Sequence, residues 1–591
     1  MSLQLVAIIG VLLVVTVTAL APKVGIAPPL LLVAMGFSAS LLPFVESVTV
    51  PPEWILAGVL PPLLYSSAVN TPSMEFRRDF RLISAFSVTL VVATAVVIGF
   101  VMTFLVPGLP LGIGMALGAI ISPTDAVATA IVRRAGISPR IVTVLEGEAM
   151  LNDATALVLL RSAVAAVGVS VSLWQVVGEF LWAVAAAVAI GYAVGKLNLL
   201  VRSRINHVTA NVALSLVVPF IAYLPAEELG ASGLVAAVTA GLVTGHGAAR
   251  TLGAEDRLAE RAVWRTVELL LESAVFLLVG LELPALAADL LGRGGSITQA
   301  GVLAVAAATM AIALRAGFVA WSVWTLARRN RRHPAVRERL TELQDQLDDG
   351  RLPEVGNPSR TTRKGRRLRS MSRQAASEGP STEAQLGRWR HLVGRRVADL
   401  DYLAAEQFSW REGVILVAAG MRGAVTIAAA QSLPEDTQSR SLLVLAATFV
   451  AVGTLVIQGG TLAWLAQRLN LTDHPGDGDP DQWAALQADL ARAAVARLSG
   501  RLDGYPSELV DRVRERLQRI PGADEEGAFQ PTAETRRRSA KYRSLRLVLL
   551  EAQRDELIAI RDLGTYPSGM LDAALAQLDA EQLGIELLHR E

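Results

Sequence analysis

At 591 residues, with 52% hydrophobic and 18% charged residues, the chain is far too apolar for an ordinary soluble protein and reads as a polytopic membrane protein. Its net charge of +1 at pH 7 points to neither nucleic acid nor an acidic substrate, so only the local distribution of charge informs. The absence of cysteine excludes disulfides, thiolate chemistry and Cys-zinc or iron–sulfur sites, and the six histidines show no metal-ligand spacing, so no resident cofactor is implied.

A spanning helix needs about 20 mainly apolar residues. On that measure thirteen segments qualify, with approximate cores at 3–21, 26–44, 53–70, 82–106, 110–132, 141–168, 173–201, 208–224, 230–248, 264–284, 298–327, 411–432 and 441–467. The first ends in Ala19-Leu20-Ala21-Pro22 and imitates a signal peptide, but it lacks a basic leader and more spans follow at once, so it reads as the first membrane helix.

Lys and Arg prefer the cytoplasmic side in short loops. They fall in alternate connections: Lys23; Arg77, Arg78 and Arg81; Arg133, Arg134 and Arg140; Arg202 and Arg204; Arg250, Arg257, Arg261 and Arg265; then Arg328 to Arg332. Arg293 and Arg440 are the exceptions. An odd number of crossings then places the N-terminus outside and the C-terminus in the cytoplasm, and the lack of a transit-like leader favours a plasma (inner) membrane.

The expected domains are a transmembrane part at 1–328 and 409–468, a basic insertion at 329–408, and a tail at 469–591. The insertion is Arg-rich with Pro, Ser and Gly around Arg360 to Ser381, which predicts partial disorder or contact with anionic lipid heads. After the turn Asp473-His474-Pro475-Gly476-Asp477, apolar residues recur at helical spacing in Trp483, Leu486, Leu490 and Ala493, then in Leu545, Leu549, Leu557 and Ile560. That periodicity predicts a small helical cytoplasmic domain of regulatory or dimer-forming character.

The chemistry concentrates between Ser122 and Asp153. Pro123 sits inside an apolar segment, where it removes a backbone donor and should break the helix. Breaks at membrane depth are tolerated where protein or a water-filled cavity satisfies the freed groups, and their carbonyls can coordinate a cation. Ser122, Thr124 and Asp125 are placed to cap such a half-helix. The next segment carries Glu148 and Asn152-Asp153. Where water is excluded, the neutral form of a carboxylic acid gains on the ionised one, so such a group can hold a proton or a small cation by turns. Arg422, flanked by Gly420 and Gly423, must find an acid; Glu148 or Asp125 could supply it. Glu268 and Glu272 share one face of the tenth segment and line an entrance funnel or cap helix packing. Arg161 lies near a helix end and reads as snorkelling.

These clusters, in this order, resemble the sodium/proton exchanger (NhaP-like) branch of the cation:proton antiporter family across roughly residues 1–468. The carrying motifs are Leu60-Pro61-Pro62-Leu63-Leu64, Ser122-Pro123-Thr124-Asp125-Ala126-Val127-Ala128, Gly147-Glu148 with Asn152-Asp153, Phe276 to Gly280, and Gly420 to Ala424. The resemblance implies an all-α dimer of subunits with thirteen transmembrane helices, built from inverted repeats with crossed, interrupted helices. It implies that Asp153 carries the ion or proton, that Asn152 steadies it, that Asp125 lies nearby, that Thr124 supplies a ligand for Na+, and that Glu148 pairs with Arg422. Two positions depart from the family pattern. Ser66 stands where many relatives have an acid, and Ala149 where many have Ser, which leaves Na+ against K+ or Li+ open, with the Ser66 hydroxyl as one remaining ligand.

The expected function is therefore electroneutral, alternating-access exchange of a monovalent cation for a proton at Asp153, by a membrane homodimer that is not an enzyme and binds no nucleic acid. A K+/H+ antiporter, or a non-transporting membrane sensor or channel, is the alternative. An intramembrane aspartyl protease is a third class, but none of the thirteen apolar segments carries the Gly-x-Gly-Asp arrangement such enzymes show; its single match, Gly476-Asp477-Gly478-Asp479, falls in the polar tail.

Overall fold

A computed structural model describes residues 3–24, 28–42, 51, 54–167, 173–330, 333–349, 382–405, 408–435, 437, 439–471, 480–499 and 533–587. The Arg360–Ser381 stretch, the turn at 473–477 and Asp436 lie outside them. The described residues form helices and their connections, with no strand among them. The chain is an all-α polytopic membrane protein.

The contacts divide it into two units. The first comprises Met1–Val323 with Ser409–Gly476. Its helices are α1 (Leu3–Val24), α2 (Pro28–Ser40), α3 (Leu60–Asn70), α4 (Ser73–Ser84), α5 (Val91–Leu105), α6 (Leu111–Ile121), α7 (Ala126–Arg134), α8 (Pro139–Ala165), α9 (Leu173–Arg202), α10 (Val208–Glu228), α11 (Gly233–Thr251), α12 (Ala254–Gly292) and α13 (Ile297–Asn330). After the α14 and α15 insertion described below come α16 (Trp410–Ala418), α17 (Ala424–Gln431), α18 (Arg440–Thr454) and α19 (Gly460–Arg468). Each of the thirteen apolar segments falls on helix. Among the described residues six stretches, Ser73–Leu105 and Ala254–Gly292 included, are long and apolar enough to cross a membrane by themselves. Two segments, 110–132 and 411–432, are each split into two half-helices.

Small residues let these helices approach where lipid supplies no hydrophobic drive between them. Gly36 on α2 faces the carbonyl of Leu277, and Gly280 on α12 faces the carbonyl of Val33, so a side chain at either would strike backbone. Buried ion pairs add directional ties. Arg140 Nε and Nη2 donate to Asp79 Oδ2 and Oδ1 at 2.8 and 2.6 Å, joining α8 to α4. Arg202 does the same for Glu260 at 3.0 and 2.8 Å, joining α9 to α12. Arg140 and Arg202, counted with the basic connections, are each buried at a helix end with a carboxylate. The two exceptions to the charge alternation have local uses: Arg293 pairs with Asp289 at 3.0 Å, and Arg440 donates to the carbonyls of Gln431 and Leu433 at the end of α17.

The second unit comprises Trp324–Phe408 and Asp477–Glu591, so the insertion and the tail, read separately from sequence, fall into one compact body. Its helices are α14 (His333–Asp348), α15 (Thr382–Ala405), α20 (Pro480–Ser499), α21 (Ala533–Leu563) and α22 (Ser568–Leu587). Leu486, Leu490, Leu545, Leu549, Leu557 and Ile560 are buried, as their spacing predicts. Arg390 of α15 donates to the Leu347 carbonyl of α14 at 2.8 Å. Asp579, wholly buried, accepts from Arg554 at 3.0 Å. The Tyr566 hydroxyl donates to Asp489 at 2.7 Å; partial burial, and then that carboxylate, push its phenol up to about 12.

Candidate functional site

Pro123 does what its chemistry requires. α6 stops at Ile121, residues 122–125 are not helical, and α7 restarts at Ala126. Asp125 is the N-cap of α7, its backbone extended and its Oδ1 accepting from Val127 N at 3.5 Å. In the second broken segment α16 ends at Ala418 and α17 begins at Ala424. The two breaks are joined directly, because Asp125 N donates to the Met421 carbonyl at 2.9 Å. Gly423 lies against the Asp125 carboxylate with no room for a Cβ.

The polarity of the half-helices sets which charge goes where. Carbonyls are freed at the ends of α6 and α16, and Arg422 serves both, its Nε donating to Ile121 O at 2.8 Å and its Nη1 to Gly420 O. Its backbone N donates to Thr454 Oγ1 at 3.0 Å. Amide groups are freed at the starts of α7 and α17, and there the Asp125 carboxylate sits. The crossing thus carries its cation at the negative ends and its anion at the positive ends.

α8 passes beside this crossing. Asn152 Nδ2 donates to Thr124 Oγ1 at 2.8 Å, and that hydroxyl donates to Glu148 Oε1 at 3.3 Å. Glu148 is buried, and its partner differs from the expected one. Arg315 of α13 holds it, Nη1 to Oε1 and Nη2 to Oε2, the latter at 2.9 Å, while Arg315 Nε donates to Leu416 O at 2.7 Å. The expected Glu148–Arg422 pair is therefore corrected to Glu148–Arg315. The physical reason is that Arg422 is already committed to the carbonyls of the helix breaks. Arg315 went unremarked in the sequence although it carried a usable signal: a single Arg in the middle of a long apolar segment demands a buried acid.

Asp153 is different from all of these. Only 6% exposed, it makes no hydrogen bond among the described residues, and its Oδ1 is enclosed. Asp125 lies within electrostatic reach of it. Glu148, Arg315, Arg422 and Asp125 each have a structural contact at the crossing, and Asp153 has none among the described residues.

Ser66 and the two glutamates of α12 gather on one side. Ser66 Oγ donates to Glu268 Oε1, so that hydroxyl serves Glu268 rather than reaching Asp153. Glu272 lies within electrostatic reach of both Glu268 and Asp125. Glu268 is near Arg133, which pairs with Glu146, two turns before Asp153 on α8. This acidic cluster therefore lies beside the N-terminal half of α8. Ala149 is buried and offers no oxygen. No group of three or more His, Asp or Glu side chains arranged for a resident metal occurs among the described residues.

Comparison with known proteins gives a consistent set of likenesses. Residues 9–339 and 391–468 match the family described as "Sodium/hydrogen exchanger, transmembrane". An uncharacterized Na(+)/H(+) exchanger of Mycobacterium tuberculosis is 28% identical over 579 residues, covering 96% of this chain and 94% of that protein. An uncharacterized Na(+)/H(+) exchanger of Escherichia coli K12 is 37% identical over 268 residues, covering 44% of this chain and 49% of the relative. Among solved structures, the sodium proton antiporter MjNhaP1 of Methanocaldococcus jannaschii matches with a TM-score of 0.52 at 15% identity, over 80% of this chain and all of that one. At that identity the likeness bears on fold alone.

Proposed function

The chain belongs to the sodium/hydrogen exchanger family, a family of membrane transporters, and from that premise we propose that Asp153 is the group at which it exchanges a monovalent cation for a proton. The observation that carries this is the carboxylate of Asp153, buried and without a hydrogen bond among the described residues, beside two helix breaks whose own charges are matched.

An unpaired carboxylate in apolar surroundings costs several kcal/mol. Either a proton or a monovalent cation removes that charge, and one carboxylate rarely accommodates both. Occupied, the site can change the side it faces; empty and charged, it resists. The cycle is then electroneutral, because the charge of Asp153 is met by one proton or by one monovalent cation. In this reading Thr124 contributes an oxygen to the transported ion, supported by its place in the break, where its Oγ1 accepts from Asn152 Nδ2 at 2.8 Å.

Na+ is the first reading of the ion. K+ is the second, because Ser66 is engaged with Glu268 and Ala149 supplies no oxygen, so few fixed oxygens draw in around the smaller ion. The protein works as a homodimer in a plasma (inner) membrane, N-terminus outside and C-terminus cytoplasmic; the alternation of basic connections supports that orientation, and the basic insertion is suited to anionic lipid heads. In sealed proteoliposomes, an inward Na+ or K+ gradient should drive proton efflux without generating a membrane potential. Transport that follows an imposed voltage would remove the electroneutral reading.

A further inference from the structure

The acidic cluster of Glu268 and Glu272 lies toward the N-terminal side of Asp153 along α8. On α8, Leu157, Leu160 and Val164 follow Asp153 by four, seven and eleven residues and so continue its helix face toward the C-terminal end. That face borders a cavity of about 310 Å³, shared with Leu56, Tyr223 on α10 and Leu234 on α11. The space holds on the order of ten water molecules. It lies on the far side of Asp153 from Glu268. Chain direction agrees: Leu56 borders the cavity, while Ser66, ten residues on and roughly 15 Å along a helix, bonds Glu268.

The cavity has different chemistry at its two ends. Nearest Asp153 are Leu157 and Leu160, both buried. At its outer lip Arg161 Nη1 donates to Glu227 Oε2 at 2.6 Å. Glu227 is fixed in turn, since its Oε1 accepts from Gly233 N at 3.0 Å, at the first residue of α11. Arg161, expected to snorkel, instead spans from α8 to the corner between α10 and α11.

We propose that this cavity is the second access route to Asp153, held shut in the present conformation by the Leu157–Leu160 constriction and latched by the Arg161–Glu227 ion pair. An exchanger must present its site to two sides in turn, and the proposal rests on Asp153 being that site. Apolar constrictions gate by excluding water. An ion pair whose arginine side chain is 58% exposed is a weak tie, which suits a contact that must part in every cycle. Its removal shifts the open population by up to about fivefold.

The chain has no cysteine, so Leu160→Cys introduces a single thiol without further engineering. In sealed proteoliposomes this thiol should react slowly with a membrane-impermeant maleimide. Adding Glu227→Gln should raise its labelling rate by up to about fivefold from one membrane face, and the exchange Arg161→Glu with Glu227→Arg should return it toward the starting rate. Glu268→Cys should label from the opposite face. A Leu160→Cys rate indifferent to Glu227→Gln, or labelling of both thiols from one face, overturns the proposal. Should Leu160→Cys fail to fold, Val164→Cys on the same face carries the same expectation. Labelling needs no transport, so retained exchange in Asp153→Asn would remove the premise about the site while the maleimide rates still decide whether the latch exists.

Discussion

Replacing Arg315 tests the part of the site that differs most from expectation. Arg315 and Glu148 are 2% and 1% exposed, joined by two guanidinium–carboxylate contacts. Arg315→Leu removes both and leaves Glu148 with the Thr124 hydroxyl at 3.3 Å. Breaking a buried pair by removing one partner costs about 3–5 kcal/mol, mainly the penalty of the orphaned charge. Glu148→Gln in the same background relieves that penalty, so the double variant should recover about 2 kcal/mol or more relative to additivity. Arg422→Leu is the control. It loses hydrogen bonds to the Ile121 and Gly420 carbonyls but orphans no directly bonded carboxylate, so its coupling to Glu148→Gln should stay below about 1 kcal/mol. Unfolding of the purified variants in mixed micelles measures both cycles. Strong coupling of Glu148 to Arg422, with additivity toward Arg315, would refute the assignment.

The remaining predictions concern the crossing and the second unit. Gly423→Ala places a methyl group on the Asp125 carboxylate and should abolish exchange in proteoliposomes, while Gly58→Ala, which meets open space, should leave it intact. Arg554→Ala takes away the cation beside the wholly buried Asp579 and should destabilise the helical unit by about 3–5 kcal/mol, read as early loss of helical circular dichroism on heating. Tyr566 titrates higher in the folded chain than in the unfolded one. Its contribution is therefore complete below the unfolded value near 10 and is lost as pH rises through the folded value of about 12; Tyr566→Phe should abolish that alkaline loss in pH-dependent melting.

Much of this architecture is readable from residue types, because apolar length and proline chemistry act locally. The thirteen apolar segments, the break at Pro123 and the role of Asp125 as a cap follow from composition and backbone sterics over a few residues. Pairing between distant helices does not. Sequence shows that Glu148 and Arg422 each need compensation, but which helices cross decides who supplies it, and the answer is Arg315 for one and the carbonyls of Ile121 and Gly420 for the other. Arg140 misleads for the same reason. Adjacent to loop residues and counted with them, it is drawn inside by Asp79, 61 positions earlier. Ser66 reads as a ligand next to the site until Glu268, 202 residues away, takes its hydroxyl. The absence of any hydrogen bond to Asp153 is likewise a property of three dimensions alone.

The central claim is that one carboxylate holds either a proton or a cation, and proton release on cation binding measures this without any transport. In weakly buffered detergent solution, at a pH where the site is protonated, adding Na+ or K+ to the purified protein should release up to one proton per subunit, followed with a pH indicator. Asp153→Asn, with an unchanged melting profile, should release none. Undiminished release from Asp153→Asn would contradict the account, as would cation binding by the native chain with no proton given up.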